Sequence, residues 1–412
     1  MSEKAAALCA EGLELMTQHR WEEAEEKISQ AIKEDSSSPE LQYNLGKCLF
    51  HQDKFEEAKG PLRSAIMFRS SESLEEGIVY PVHGKKYPEA QALLGSCYYA
   101  LHDTFKASTC FGGSIHRDNT PEFNRECKTA EAHALLANGK YSSYYWSLYQ
   151  QRLAEPDTWN GNESLRGKTL LIKAEGGLGD QIFFARYNKF LETLDAGYVL
   201  WEVDEPLDEY FDTSWHFDLG VVIRGKELPD HDFMVHAGSL PFIFGTKLGT
   251  IPVPNDRPFV RNGKLENIGL AWSGNPMHSD DHHRSIPLAA FAPLFALGKN
   301  FYPMQKEIPH RDKEAFVASE MRLNEFENVA DIAKAMLNLD LIITVDTMTA
   351  HLAGAEGIPT ILLLPYACDW RWGLEGNRTP WYPSIKIIRQ GEDRQWEPVI
   401  QKVLEELTDA VL

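Results

Sequence analysis

In this 412-residue chain the residues best placed to do chemistry gather in three short loops, each following an apolar run. The first is Gly176-Gly177-Leu178-Gly179-Asp180, after TLLIK at Thr169–Lys173. Its glycines let backbone approach a ligand closely, and Asp180 stands where strand yields to helix. Asp180 has two readings: a helix cap, a role aspartate fills well, or a carboxylate facing a ligand. The second loop, Ser273-Gly274-Asn275-Pro276, follows NIGLAW at Asn267–Trp272. Small polar residues there leave backbone N–H groups for a phosphate, with Arg284 downstream to supply charge. The third, Asp346-Thr347, follows LIITV and opens a helix that carries Met348 and His351. A helix N-terminus offers unpaired N–H groups and partial positive charge, a natural seat for phosphate. The plainer alternative makes Asp346 and Thr347 caps and His351 a core histidine.

Other chemistries are disfavoured. A dinucleotide fingerprint is missing, because Ile182 occupies the position of the third glycine, and no GxxxxGK[ST] phosphate loop occurs. This argues against an oxidoreductase built on a dinucleotide. His278, His282 and His283, with Asp280 and Asp281, are metal-ligating types. The stretch reads as a solvated loop, and no metal is expected. The six cysteines form no CxxC pair and read as reduced core residues. A net charge of −20, with no basic tract, disfavours a polynucleotide partner. No apolar run is long enough for a membrane helix, and no secretory leader is evident, so the cytoplasm is the expected location.

The three loops need rigid strands behind them. After a polar connector at 155–167, strands are expected at Thr169–Lys173, Tyr198–Val203, Leu219–Ile223 and Phe233–His236. A second series is expected at Asn267–Trp272, Asn300–Met304, Leu341–Val345, Thr360–Leu364 and Ser384–Ile388. Helices are expected between them, including Val329–Leu339, Thr347–Glu356 and one opening at Asp180, with a last helix from Trp396. Alternating strands and helices predict doubly wound parallel sheets. Two series divided near Pro254–Lys264 predict two Rossmann-like domains, at 168–262 and 263–412.

The first 154 residues follow a different rule. Gly12, Ala24, Ile28 and Ala31 return 34 residues later as Gly46, Ala58, Leu62 and Ala65. They return again after a further 49 as Gly95, Ala107, Phe111 and Ser114, the same unit with 15 residues inserted around Ser70–Lys86. Small residues let paired helices approach, and bulky ones fill between pairs. The period predicts a tetratricopeptide-like helical array, with Pro39 at a repeat boundary and an irregular last pair from Glu122 to Leu153. Stacked repeats present concave faces, so the array is a candidate binder of protein or peptide, or else a packing element.

Four segments together carry a family resemblance: Glu175–Tyr187, Trp272–Leu288, Asp340–Pro365 and Asp369–Gln390. In this order they resemble the bacterial tetratricopeptide-repeat glycosyltransferases, relatives of heptosyltransferases and of O-linked N-acetylglucosamine transferases. The resemblance implies a GT-B fold that holds a nucleotide-sugar donor mainly on its second domain, with no metal or other cofactor. It implies an inverting transfer to a hydroxyl, with Asp180 as general base. It places Ser273, Gly274, Asn275 and Arg284 in one phosphate-contacting loop, Asp346, Thr347, Met348 and His351 in another, and Gln305 near the nucleotide. Gly176, Gly177 and Gly179 then line the donor or acceptor. The chain departs from the family at Gln181, where threonine is common, and at Met348, where a small residue is. The alternative expectation is a non-catalytic scaffold with a degenerate transferase-like domain.

Overall fold

A computed structural model of the chain describes residues 1–69, 87–214, 220–254, 265–278, 280–321 and 325–409. The chain divides into two compact units, Met1–Lys140 with Ser147–Ala154, and Tyr141–Trp146 with Glu155–Leu412.

The first unit is built from helical hairpins: α1 (Glu3–Thr17) with α2 (Trp21–Glu34), α3 (Pro39–Phe50) with α4 (Phe55–Arg69), and α5 (Pro88–Ala100) with α6 (Thr104–Ser114). Then come α7 (Pro121–Leu136) and α8 (Ser143–Gln150). Proline sits in the first turn of α3, α5 and α7, where its missing N–H costs nothing. Ser38 and Thr120 cap α3 and α7 through their hydroxyls. The repeated glycines lie where the period requires. A Cβ on Gly12 would stand 2.7 Å from Ile28 Cδ1, one on Gly46 2.6 Å from Leu62 Cδ2, and one on Gly95 2.9 Å from Phe111 Cε1. Ala24, Ala58 and Ala107 are fully buried. The insertion expected around Ser70–Lys86 lies outside the described residues.

The last pair is shared between the units. Trp146 packs in the second, where its Nε1–H donates to the Thr246 carbonyl at 2.8 Å and its ring meets Trp370 edge-on at 5.7 Å. Tyr141 Oη accepts from Trp381 Nε1 at 2.9 Å in the same packing.

The second unit runs β1 (Thr169–Lys173), α9 (Leu178–Ala185), α10 (Asn188–Leu191), β2 (Tyr198–Val203), α11 (Asp208–Ser214), β3 (Gly220–Ile223), β4 (Phe233–His236) and α12 (Leu240–Ile243). It continues with β5 (Asn267–Ala271), α13 (Asp281–Arg284), α14 (Ala292–Phe295), β6 (Asn300–Pro303), α15 (Lys313–Ala318), α16 (Val329–Met336), β7 (Leu341–Val345), α17 (Met348–Ala355), β8 (Thr360–Leu364), β9 (Ile385–Arg389) and α18 (Glu397–Asp409). One sheet has the order β3-β2-β1-β4 and the other β6-β5-β7-β8-β9, and every pairing is parallel. LIITV and TILLL are buried throughout, as strands covered on both faces must be.

The helical array followed by a two-sheet parallel α/β region is the architecture expected from the sequence. Small differences have local causes. The strand at Asn267 stops at Ala271, because Trp272 donates its N–H to the Gln305 side chain instead of to a ladder. The helix expected at Asp180 starts two residues earlier, on the exposed Gly177. Leu219 and the dividing segment after Pro254 lie outside the described residues. Helix α18 belongs to the second half, with Val399, Val403 and Leu407 in one core with Ile268, Ile343 and Leu363.

In each sheet the strand order reverses once, between β1 and β4 and between β5 and β7. Such switch points open a crevice at the carboxyl ends of the strands. The register brings Lys173 beside His236 and Ala271 beside Thr344, so the loops after β1, β5 and β7 all leave from switch-point strands.

Candidate functional site

The loop after β1 is built around Asp180. Gly176 has φ +66°, and a Cβ there would lie 2.2 Å from Asp180 Oδ2. Only glycine meets both conditions. Gly177 precedes α9, and its N–H donates to Asp180 Oδ2 at 2.8 Å, so the aspartate ties down the helix start from the third helical position. Its other oxygen, Oδ1, accepts from Arg371 Nη2 at 2.5 Å. The capping and site readings of Asp180 therefore coexist: one oxygen serves the helix and the other faces a cation. Gln181, the departure from the family pattern, is buried and locks α9 to the end of β2. Its Nε2 donates to Asp204 Oδ2 at 2.7 Å, and its Oε1 accepts from the Asp204 N–H at 2.9 Å.

Gly179 sets the approach of the two halves. A Cβ there would stand 2.7 Å from His351 Cδ2 and 3.4 Å from the Met348 Cα. The residue before Asp180 is thus in contact with the first turn of α17. Thr347 holds the N-cap position of that helix in extended backbone, and its side chain makes no capping bond. His351 is buried, shares a hydrogen bond of 3.0 Å between Nδ1 and Tyr382 Oη, and lies against the Trp372 ring at 5.1 Å. Burial above all, with the Arg371 charge nearby, holds its pKa well below the usual histidine range. It is a neutral ring at physiological pH.

The loop after β5 is braced from below. Gly274 donates its N–H to Ser285 Oγ at 2.9 Å, and Ser285 Oγ donates to Asp281 Oδ1 at 2.9 Å. That amide is accordingly committed within the fold. Arg284 gives Nε–H to Asp281 Oδ1 at 3.2 Å and Nη1–H to the Asp346 carbonyl at 2.9 Å. It thereby joins the loops after β5 and β7. A Cβ on Gly274 would fall 2.7 Å from Arg284 Nη2, so the guanidinium lies directly beneath this glycine. Asn275 accepts from the Met277 N–H at 3.0 Å, shaping the exposed turn. Asp281 turns inward to Ser285 and Arg284, away from its solvent-facing neighbour His282. Gln305 accepts from the Trp272 N–H at 3.1 Å and donates to the Glu307 carbonyl at 2.9 Å, fixing the ends of β5 and β6 together.

Asp346 is half-buried at the end of β7. Burial, reinforced by the negative charge of Asp369, pushes its carboxyl up to about 7, against the pull of Arg284 and Arg371. Near neutral pH the group exchanges its proton readily and so adds only part of a negative charge to the loop.

Two arginines beside this site carry no role in the sequence reading. Arg371 lies in the turn after β8, flanked by Trp370 and Trp372, and bridges Asp180 to Asp369 Oδ1 at 3.0 Å. Arg186, fully buried at the end of α9, donates to the carbonyls of Phe183 at 2.8 Å and Trp381 at 2.6 Å. Their guanidinium carbons lie 4.4 Å and 4.9 Å from the centre of the one Phe183 ring. A desolvated cation–π contact contributes about 2 kcal/mol, and a carbonyl pair alone would leave Arg186 poorly compensated. The signal for Arg371 was present in the sequence: a basic residue in a short loop after a buried strand. For Arg186 there was none, because its helix position reads like any amphipathic arginine.

Comparison with known proteins bears on the two units differently. A tetratricopeptide repeat family model matches residues 9–71, which span α1 to α4, so the array is of tetratricopeptide type. Protein FlbA of Caulobacter vibrioides is 24% identical over 407 residues, covering 84% of this chain and 64% of FlbA. The chain thus spans less than two thirds of that relative. Among solved structures, the first tetratricopeptide domain of Spaghetti (RPAP3), bound to the HSP90 peptide SRMEEVD, is 21% identical. It covers 32% of this chain and 92% of its own, with a TM-score of 0.26. The iron-containing dodecameric glycosyltransferase TibC of enterotoxigenic E. coli is 14% identical, covering 61% of this chain and 78% of its own, with a TM-score of 0.43. Among the described residues no helix is long and apolar enough to cross a membrane.

Proposed function

We propose that the α/β unit is an inverting glycosyltransferase of GT-B type, moving a sugar from a nucleotide-diphosphate donor to a hydroxyl acceptor. The observation that carries this reading is the juxtaposition at Gly179. A carboxylate at one switch point, Asp180, adjoins a helix N-terminus and a cationic loop at the other. The order of motifs in the sequence supports it.

The chemistry follows from those groups. The acceptor oxygen attacks the anomeric carbon and forms the new glycosidic bond, and its proton passes to Asp180. The bond from that carbon to the diphosphate breaks, and the diphosphate leaves with the electron pair. Its growing charge meets Arg284, the N–H groups at the start of α17 (Thr347, Met348) and Ser273 and Asn275 on either side of Gly274. These protein groups supply the neutralisation that a metal would otherwise give. Asp346 opposes the diphosphate little, since its carboxyl takes a proton near pH 7. Gln305 and His351, both fixed by hydrogen bonds, shape the donor side. A polypeptide is the partner proposed for the repeat array, on the general habit of stacked helical repeats.

Thermal denaturation with UDP, GDP, ADP and dTDP tests the reading. A millimolar diphosphate that binds tightly raises the midpoint by mass action, and a flat response to all of them would sink it. With the nucleotide known, Asp180→Asn should abolish transfer in a labelled-donor assay while diphosphate binding persists. Undiminished turnover would return Asp180 to a purely structural role.

A further inference from the structure

Arg371 has an arrangement that a structural ion pair does not need. Its root is fixed: Asp369 accepts the Arg371 backbone N–H at 2.9 Å and Nη1–H at 3.0 Å, and the guanidinium lies against Trp370 at 4.8 Å and Phe183 at 4.9 Å. One nitrogen, Nη2, reaches from the turn after β8 to Asp180 Oδ1 on α9. The Asp180 side chain keeps 32% of its exposure, while that of Arg371 keeps 9%. The pair is therefore open on the carboxylate side, next to the first turn of α17. Both oxygens of the carboxylate are engaged, Oδ2 by the Gly177 N–H and Oδ1 by Arg371, so neither is free for an acceptor hydroxyl. That same cation is a ready partner for phosphate oxygens, which guanidinium groups grip well.

We propose that Arg371 is a positioning residue that exchanges partners, holding Asp180 before the donor binds and turning Nη2 to the donor's diphosphate when it arrives. The inference rests on the glycosyl-transfer reading above. Asp369 and the two aromatic rings keep the guanidinium in place through the exchange, so only the outer nitrogen changes partner. Asp180 then becomes free to accept the acceptor's proton only while the donor is bound. The base is armed by the substrate it serves.

The consequence is a signed coupling that a merely structural pair would not produce. Binding of the diphosphate that stabilises the full-length chain is measured by calorimetry on wild type, Asp180→Asn, Arg371→Gln, Arg371→Lys and the Asp180→Asn/Arg371→Gln double variant. Asp180→Asn should bind it about tenfold tighter, a coupling of ordinary size between linked sites, because Arg371 no longer has to leave a carboxylate. Arg371→Gln should bind it about tenfold more weakly, with Arg371→Lys between that variant and wild type. In the double variant the gain should vanish, leaving the affinity of Arg371→Gln alone. The parent nucleoside, which lacks phosphate, should show no gain with any variant. Equal or weaker diphosphate binding by folded Asp180→Asn overturns the exchange and leaves the transferase reading standing. So does a gain that survives in the double variant. No diphosphate binding by wild type removes the transferase reading, and the exchange with it.

Discussion

The repeat glycines of the array and the loop glycines of the candidate site make close approaches of opposite kinds. In the array each glycine of the repeat period faces an apolar side chain: Gly12 meets Ile28, Gly46 meets Leu62 and Gly95 meets Phe111. In the three loops of the α/β unit the glycines face polar side chains: Gly176 meets Asp180, Gly179 meets His351 and Gly274 meets Arg284 and Asp281, whereas strand glycines such as Gly220 and Gly269 meet Leu200 and Ile342. The first kind sets helix spacing and repeats with the chain. The second clears space for a charged or hydrogen-bonding atom, and each instance is singular. An apolar contact can be retuned by trimming its partner, whereas a polar contact that positions a reacting group has one acceptable geometry.

The sharpest way to test this contrast is Gly176→Ala. The backbone there is left-handed and the new Cβ overlaps the Asp180 carboxylate, so the carboxylate must move. A displacement of about 1 Å costs on the order of 10²-fold in turnover, and steady-state kinetics on the folded variant should show at least that loss. Near-normal turnover would mean that Asp180 does not need its present position.

Gly46→Ala should have a smaller and repairable effect. Its Cβ would meet Leu62 side-chain atoms at 2.6 Å, an overpacking that costs about 1–3 kcal/mol in denaturant unfolding. Shrinking the partner, as in Gly46→Ala/Leu62→Val, should recover part of that stability. No second-site trimming should rescue Gly176→Ala, since its φ is the problem. If both or neither were rescued, the distinction between the two kinds of glycine would fail.

The smallest effect concerns Asp346. Its carboxyl is raised to about 7 in the fold, above the ordinary value near 4 in an unfolded chain. The folded state thus binds the extra proton, and the stability it contributes is full below about pH 4 and lost as pH rises to about 7. Asp346→Asn removes this dependence. Relative to wild type it should be more stable at pH 8, read as a rise in melting temperature, with the gain shrinking toward pH 4. A constant offset across that range would place Asp346 in a more polar setting than its burial implies.

Much of the fold was legible because its signals are local. Parallel strands covered on both faces must be continuous apolar runs, and Thr169–Lys173, Leu341–Val345 and Thr360–Leu364 were read to the residue. Strand ends were less legible where a side chain took over a ladder bond, as Gln305 does at Trp272. The three candidate loops were visible as breaks after those runs. Their convergence was not, because it depends on which strands become neighbours at the switch points.

By itself, then, the sequence determined the period of the array, the two parallel series and the glycine-rich breaks, because each is a pattern of near neighbours along the chain. Only the tertiary structure decided that Gly179 brings α9 against α17, that Asp180 divides its oxygens between Gly177 and Arg371, and that Asp346 is desolvated beside Asp369. Asp180 and Arg371 are 191 residues apart in the chain. Charges that far apart in sequence interact only when folding brings them within a few ångströms, and no local pattern records where that happens.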